Sequence, residues 1–489
     1  MKLKSKSLPL PKGCLWQKTP RHKGFTKKRK YFVGTRRVYP DAFYRGLVLL
    51  FVCTTLSFSQ TTNVLTLADA IKIGQERSRA LKISSAKVNA AAAKASEANT
   101  NLLPSIKLSA SYQRLSDVDP FQISVPFVPQ PITVAPTVLN NYNMRVSLQQ
   151  PIFTGFKLES NARAADYLAK ASEYENKNDN ADLTLNITVA YWTLYQTLES
   201  KKFMDENVVR LLTFENDTKN LLKAGIATRN DLLKIQLQLN NAKLTQIDAS
   251  NDVQLAMMNL NNIIGQPLET EIKLASQPWP PAEPEGKPFR PGDKEETEQT
   301  VASKALSNRS DLQAMQSRVE AAKAVVSAAQ GNWFPQLFLT GGYTYARPNQ
   351  RYQPTRDEFK GTWDVGVQLQ FDIWNWGAAG HQTEQAKASL QQNELMYEQM
   401  KDNISLEVKR HSLAAQRAKE KVQVAMLAIE QADENQRSTN DKFKQGLATS
   451  TELLDANVAL LQAKTNLSGA LVEHEVARAR LSKAVGVVE

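Results

Sequence analysis

Cysteine is nearly absent from this sequence. Its two copies, Cys14 and Cys53, both fall within the first 59 residues, so the rest of the chain has no thiol. That excludes a disulfide framework, a thiol catalyst and a Cys-ligated metal there. Histidine is almost as scarce. Of four copies, His22 lies near the start, and His381, His411 and His474 stand isolated without metal-ligand spacing. No phosphate-binding glycine loop, nucleophile elbow or zinc-protease signature occurs. The methionines are scattered and do not suggest a methionine-lined metal path. These gaps leave no support for an enzyme, and no cofactor is expected.

Even the charge excess is local. The chain carries a formal +12, but residues 1–45 hold fourteen Lys/Arg against one Asp, which leaves 47 basic and 48 acidic residues and a net −1 elsewhere. A near-neutral body removes the nucleic-acid reading that the bulk charge would raise. The apolar run after Arg45, GLVLLFVCTTLSFSQ, is too short for a typical transmembrane helix. With its basic preface, and with Ser57 and Ser59 before Gln60, it reads as a secretory signal cleaved after Ser59, giving a leader over residues 1–59. The preface is long, so either the true start lies downstream of Met1 or the leader is extended; the next Met is Met144. Phe51 and Val52 are bulkier than a lipoprotein peptidase accepts before Cys53, so lipidation is not expected.

What the sequence does contain is a duplication. Lys223 to Lys243 reads KAGIATRNDLLKIQLQLNNAK and Lys444 to Lys464 reads KQGLATSTELLDANVALLQAK, nine identities in twenty-one positions at an offset of 221. Each copy has a Gly (Gly225, Gly446) suited to the left-handed end of a helix. Thr228 or Thr449/Ser450 then caps the next helix, with Asp231 or Glu452 in its first turn, where the macrodipole favours an acid. This is a helical hairpin tip built twice, at about residues 223–229 and 444–450.

The helices that leave the tips carry a 3-4 stripe. Leu232, Ile235, Leu239, Ala242, Gln246, Ala249, Val253, Ala256, Leu260 and Ile263 answer to Leu453, Ala456, Leu460, Ala463, Leu467, Ala470, His474, Ala477, Leu481 and Ala484, with one polar exception in each. A sustained period of 3.5 means coiled-coil packing. A second stripe, Leu233, Leu237 and Leu244 or Leu454, Val458 and Leu461, gives each helix two neighbours, as in a closed ring.

Ahead of each tip the period changes. An Ala-rich helical pattern from Leu67 to about Leu102 stops at Pro104. Strand-like alternation follows at about 105–115 and 142–153, separated by a Pro-rich loop, and a helical pattern then continues to Lys223. The second half repeats the plan: a helix from about Thr300, strands at about 336–346 and 362–373, and a long helix. The expected divisions are a first repeat over 60–265, a Pro-rich linker over 266–297 with one short strand at Glu271 to Ala275, and a second repeat over 298–489. In the strands Ile106, Leu108, Met144, Val146, Val365 and Val367 alternate with Lys107, Arg145, Gln149, Gln368 and Asp372. Such two-faced strands suit a membrane barrel with lipid outside and water inside, which makes Lys107, Arg145, Gln149, Gln368 and Asp372 the lumen-facing residues. Tyr112, Tyr142, Tyr343, Tyr345 and Trp363 near the strand ends fit aromatic girdles. Four strands cannot close a barrel alone, so the chain must oligomerise.

The order helix, strand, strand, long helix, glycine tip, heptad helix, given twice with NLLP/NWFP, the FTG/NWG turns and the GIAT/GLAT tips, resembles the TolC-like outer-membrane efflux proteins from about residue 64 to the C-terminus. The resemblance implies an α+β membrane protein. Its internally duplicated coiled-coil helices would form a periplasmic α-barrel, and four transmembrane β-strands per chain would contribute to a trimeric twelve-stranded β-barrel. It implies a homotrimer set in outer-membrane lipid, a passive exit duct of a tripartite efflux or type I secretion system. Its partners would be a periplasmic adaptor (membrane fusion) protein and an inner-membrane pump of RND, ABC or MFS type.

Carried over from the family, Glu452 and Asp455 would form an inward-facing acidic constriction, and mutual repulsion among three chains would raise their pKa values. Read without the resemblance, the same acids are a well-charged helix start. Asp231 matches the acid of the family's closing hydrogen bonds, but the family's Tyr and Arg partners fall on Phe443 and Ala448, so closure must be held otherwise, by Arg229 or Lys234. Adaptor docking falls on Gly225, Ile226, Ala227, Gly446, Leu447 and Ala448. The alternative from another class is a lumenless coiled-coil tether or adhesin of the envelope. Glu452→Gln combined with Asp455→Asn is expected to weaken block of the channel by multivalent cations in single-channel recordings, and unchanged block would remove both residues from the constriction.

Overall fold

The computed structural model describes residues 64–275 and 298–487, apart from 125, 128 and 136. The leader, its cleavage at Ser59/Gln60, Cys53 and most of the Pro-rich linker lie outside these residues. In chain order the elements are β1 (Val64–Leu65), α1 (Leu67–Arg77), α2 (Arg79–Thr100), β2 (Ser105–Arg114), β3 (Phe121–Ile123), β4 (Ile132–Ala135), β5 (Asn140–Phe153), α3 (Lys157–Lys223) and α4 (Arg229–Ile264). Then come β6 (Lys273–Leu274), α5 (Glu298–Asn308), α6 (Ser310–Gln330), β7 (Gln336–Arg347), β8 (Lys360–Gln370), α7 (Ala378–Lys444) and α8 (Ser450–Val485). The duplication extends to element length: α3 and α7 are both 67 residues, and α4 and α8 both 36. At about 1.5 Å per residue, α3 and α7 are rods of about 100 Å.

The heptad stripe is the buried stripe. Ile235, Leu239, Ala242, Ala249, Val253 and Leu260 are buried on α4, and Leu453, Ala456, Leu460, Ala463, Leu467, Ala470 and Ala477 on α8. The polar exception Gln246 is accommodated because its amide donates to Asp205 of α3 at 2.7 Å. The other exception, His474, is half-buried beside Glu475 at 3.4 Å. The two hairpins, α3–α4 and α7–α8, are joined along α3 and α8. There the buried Asn457 amide donates to Asn207 at 2.7 Å, Lys464 pairs with Glu206 at 2.7 Å, and Lys483 pairs with Asp182. A buried polar pair in a coiled-coil seam fixes register better than another Leu would.

Neighbouring elements form a wall four elements wide towards the tips, near the sheet and in the sheet itself, with α1 and α5 packed against it at mid-length. Towards the tips the order is α4–α3–α8–α7, near the sheet it is α2–α3–α6–α7, and the sheet itself runs β2–β5–β7–β8, antiparallel throughout. The edges are open. On α4, Leu233, Leu237 and Leu244 are 53, 64 and 62% exposed, so the second stripe expected to meet a neighbouring helix finds none within one chain. On α7, Leu395, Leu406, Leu413, Val424 and Leu427 are exposed likewise.

Several elements differ from the sequence reading. The helix expected from Leu67 to Leu102 breaks at Ser78, and that expected from Thr300 breaks at Arg309; both residues leave the helical conformation, with ψ of 128° and 121°. Each break lies where the left-handed glycine ending a heptad helix packs in, Gly265 on Arg77 and Gly486 on Asn308 and Arg309. The Pro-rich loop contains an additional antiparallel ribbon, β3 with β4. The linker strand is the pair Lys273–Leu274, bound in parallel to Val64–Leu65. Finally, β8 stops at Gln370 because its partner there, Gln336, is the first residue of β7. Asp372 therefore lies beyond the strand, and its expected place on the sheet's polar face is corrected.

The sheet turns into the helices through strained backbone. Gly155 and Phe156 precede α3 with φ of 64° and 63°, and Trp376 and Gly377 precede α7 with φ of 55° and 79°. The positions match at the offset of 221, with glycine and aromatic interchanged. Gly155 also sits against the second repeat, where a Cβ would lie 2.5 Å from the Gly331 carbonyl oxygen and 2.8 Å from Phe334 Cβ. Gly155→Ala adds both left-handed strain and overlap, and is expected to destabilise the fold by about 1–3 kcal/mol, measured as a lowered thermal midpoint in detergent.

Candidate functional site

The two helical tips meet. Each is built from local chain chemistry alone. The Gly225 amide donates to Leu222 O (3.0 Å) and the Ile226 amide to Leu221 O (2.9 Å), while Gly446 donates to Phe443 O (2.9 Å) and Leu447 to Lys442 O (2.9 Å). Left-handed glycine with this pair of bonds ends both long helices. Three residues on, Thr228 and Asp231 form a reciprocal capping box, and Thr449 and Glu452 form its counterpart. Between stop and restart, Ile226 and Leu447 project with 62 and 74% exposure. Ile226 Cγ2 is 3.3 Å from where a Cβ on Gly446 would stand.

Asp231 uses its two carboxylate oxygens differently. Oδ2 accepts from the Thr228 amide (3.0 Å) and hydroxyl (2.6 Å), whereas Oδ1 accepts from the Ser450 hydroxyl of the other tip at 2.6 Å. Ser450 is almost fully buried at 2% exposure. Lys234 adds a second tie, donating to Thr451 at 3.3 Å. Beneath them Phe443 is buried with Val208, Leu211, Phe214, Ile235, Leu239, Ala242 and Leu453, and Ala448 packs against that cluster. The sequence points to Arg229 or Lys234 as what holds the two tips closed. The structure gives the main tie to Ser450, a cap candidate in the sequence, on Asp231 and a second to Lys234 on Thr451; Arg229 is exposed. The two side chains that cannot hydrogen-bond, Phe443 and Ala448, supply apolar contact instead.

Local hydrogen bonds act on two of the tip acids, Asp231 and Glu452. Hydrogen bonds from Ser450 and then Thr228 hold the Asp231 pKa below the usual carboxylate range. Glu452 is also held down, by the Thr449 amide and hydroxyl that its carboxylate caps. Repulsion between chains was expected to raise Glu452, but within one chain the capping bonds act the other way. Asp455, one turn on, is exposed.

A second set of predicted residues lies on the sheet. Register places Lys107, Arg145, Gln149 and Gln368 on one face and Ile106, Leu108, Met144, Val146, Val365, Val367 and Leu369 on the other. That apolar face is bare: Ile106, Leu108, Val365 and Val367 are 70, 75, 71 and 69% exposed. Aromatic groups bound it at both ends. Tyr112 and Tyr142 (4.9 Å), then Phe359 and Tyr345 (5.2 Å), gather at the end away from the helices, and Phe153, Phe156, Phe334, Trp374 and Trp376 gather at the helix junction. An apolar patch of this extent, rimmed by aromatics, marks a surface that meets lipid or another protein. Among the described residues no group of His, Cys, Asp or Glu could hold a metal ion, and no helix is long and apolar enough to cross a membrane.

Comparison with known proteins matches residues 71–266 and 301–487 to the family model described as outer membrane efflux protein. The outer membrane protein TolC of Vibrio cholerae is 24% identical over 342 residues, 68% of this chain and 72% of that protein. The alkaline protease secretion protein AprF of Pseudomonas aeruginosa is 23% identical over 366 residues, 72% of this chain and 70% of that protein. Among solved structures, the outer membrane protein VceC of Vibrio cholerae superposes with a TM-score of 0.71 at 17% identity, covering 86% of this chain and 96% of its own.

Because the Asp231 pKa is depressed on folding, the tie is fully present above the ordinary carboxyl range and is lost only as pH falls through the lowered value. Ser450→Ala is expected to raise hydrogen exchange of the amides at residues 225–231 about five-fold at neutral pH, equivalent to about 1 kcal/mol, and to reduce the loosening at acid pH that the parent should show, leaving the part due to the Thr228 cap.

Proposed function

This chain belongs to the outer membrane efflux protein family, and on that premise we propose how its parts form an exit duct. The function itself is that of an outer-membrane channel in a tripartite efflux or secretion system. After removal of the leader at Ser59, three copies join their open edges. Twelve strands close a barrel in the outer membrane, with the bare apolar face to lipid and the polar face, with Lys107, Arg145, Gln149 and Gln368, to the lumen. The long helices continue the duct into the periplasm.

The observation that carries this reading is the open edge at every level of the wall. Unpaired backbone groups on β2 and β8 are not tolerated in lipid, and a leucine stripe on α4 with a matching one on α7 is the surface a coiled-coil neighbour covers. Both edges are satisfied together by a second copy of the same chain. A lumenless tether needs neither two-faced strands nor aromatic rows at both strand ends.

At the far end, the exposed Ile226 and Leu447, with Gly225, Ala227, Gly446 and Ala448, form the docking surface for a periplasmic adaptor. The Asp231–Ser450 tie keeps the two hairpins of each chain together at rest, and Glu452 and Asp455 put negative charge at the entrance, favouring cations. An inner-membrane pump of RND, ABC or MFS type supplies the energy. Cargo is chosen mainly by that pump; AprF, by its name, serves protease secretion, so proteins are within the reach of such ducts.

Purified protein is expected to run as a trimer in detergent and to give discrete openings in planar bilayers. A monomeric sample without openings overturns the reading. Leu244→Glu, placed on the α4 edge, is expected to abolish the trimer by native gel while leaving helical content unchanged.

A further inference from the structure

On the polar face of the sheet Arg145 does not point straight out. Its register partners are Ser109 on β2 and Thr344 on β7, but the guanidinium leans across the sheet. Nη1 donates to Thr344 Oγ1 at 3.0 Å, and Nη2 reaches Asp364 of β8 at 2.8 Å, passing over one strand. The passage exists because residue 342 is glycine: a Cβ there would lie 2.5 Å from Arg145 Nη2 and 2.8 Å from Cζ. Arg145 and Asp364 are 40 and 38% exposed, and a pair so wetted adds little to stability. Its effect is electrical. Along the polar face of the four strands the ionisable residues are Lys107, Arg145, Asp364 and, at the outer end, Lys360, which faces Glu358 at 3.4 Å. Pairing Arg145 with Asp364 leaves Lys107 as the face's uncompensated charge.

The geometry points to Arg145, Asp364 and Gly342 as the charge-setting element of the barrel: the guanidinium is masked by its carboxylate, so that charge selection is left to the acidic helical end. The inference rests on the lumen reading of this face. Three masked pairs around a narrow bore would let oxyanions pass without lodging, whereas three bare guanidinium groups would form a ring that binds phosphate or sulfate. Separately acting charges make a different prediction, since Arg145 would then already be available to anions in the parent protein.

The test is block of single-channel current by inorganic pyrophosphate added on the barrel side, away from the helical tips, with the full-length trimer. Asp364→Asn is expected to lower the half-blocking concentration about ten-fold. Arg145→Gln in that background is expected to restore the parent value. Gly342→Ala, which changes no formal charge but displaces the guanidinium, is expected to fall between them. Each variant is first checked for trimer retention on native gels. Equal block in the parent, Asp364→Asn and Gly342→Ala overturns the masking. Absence of discrete currents from the parent trimer overturns instead the duct reading beneath it. If Asp364→Asn fails to assemble, Gly342→Ala decides alone: increased block supports the inference and unchanged block ends it.

Discussion

The open edge of a narrow sheet is the feature on which the proposed duct depends, because a strand edge in hydrocarbon has nowhere to place its backbone hydrogen bonds. The sheet is only four strands wide, with β2 and β8 unpaired on their outer sides. Everything beneath it shares that width. Helices lie four abreast at two levels, and the outermost ones, α4 and α7, carry the leucine rows that a single chain leaves bare. Burial at about 25 cal/mol per Å² makes covering those rows favourable, and in the proposed membrane barrel the sheet edges require it. In the proposed trimer, coverage by copies of the chain satisfies both demands with one geometry.

Duplication supplies the means. Two hairpins of equal length place their tips side by side, so one short sequence of helix stop, two-residue turn and helix cap can be used twice. The copies have since diverged in the side chains that matter. One tip contributes an acid with a free lobe, Asp231 Oδ1, and the other a buried hydroxyl, Ser450. At the offset of 221 Asp231 answers to Glu452 and Ser450 to Arg229, so the bond joins non-equivalent positions of the two copies and holds two nearly equivalent hairpins in a defined relation.

Much of this was legible in the sequence, and the limits have physical causes. The 3-4 stripe names the buried positions of α4 and α8 because burial in a coiled coil follows local periodicity. Strand polarity alternates for the same reason, so Lys107 and Arg145 could be assigned a common face. Long-range alignment was not legible. The Asp231–Ser450 bond depends on how far one hairpin slides along the other, set by pairs such as Asn207–Asn457, and no local pattern encodes that. The breaks at Ser78 and Arg309 depend on where Gly265 and Gly486 arrive from elsewhere in the chain. Asp372 was misplaced because alternation continues past Gln370 although the partner strand has ended. The lean of Arg145 over Gly342 could be suspected only from the small residue, whose purpose becomes clear once three strands are in register.

The left-handed residues at the foot of the sheet have one more implication. Each long helix is entered through two consecutive positions of positive φ, and each copy gives one of them to glycine and the other to an aromatic, Phe156 or Trp376. A ring held there carries roughly 1–2 kcal/mol of strain that a second glycine would remove. Both rings stand well exposed, at 59 and 85%, where the wet rods give way to the greasy strands. Aromatic side chains settle at the boundary between headgroups and hydrocarbon. On the proposed reading of the sheet as a membrane barrel, the two rods would each carry a float at the same height, and the depth at which the molecule sits would be set at the helix entrances, before any tip or partner is engaged.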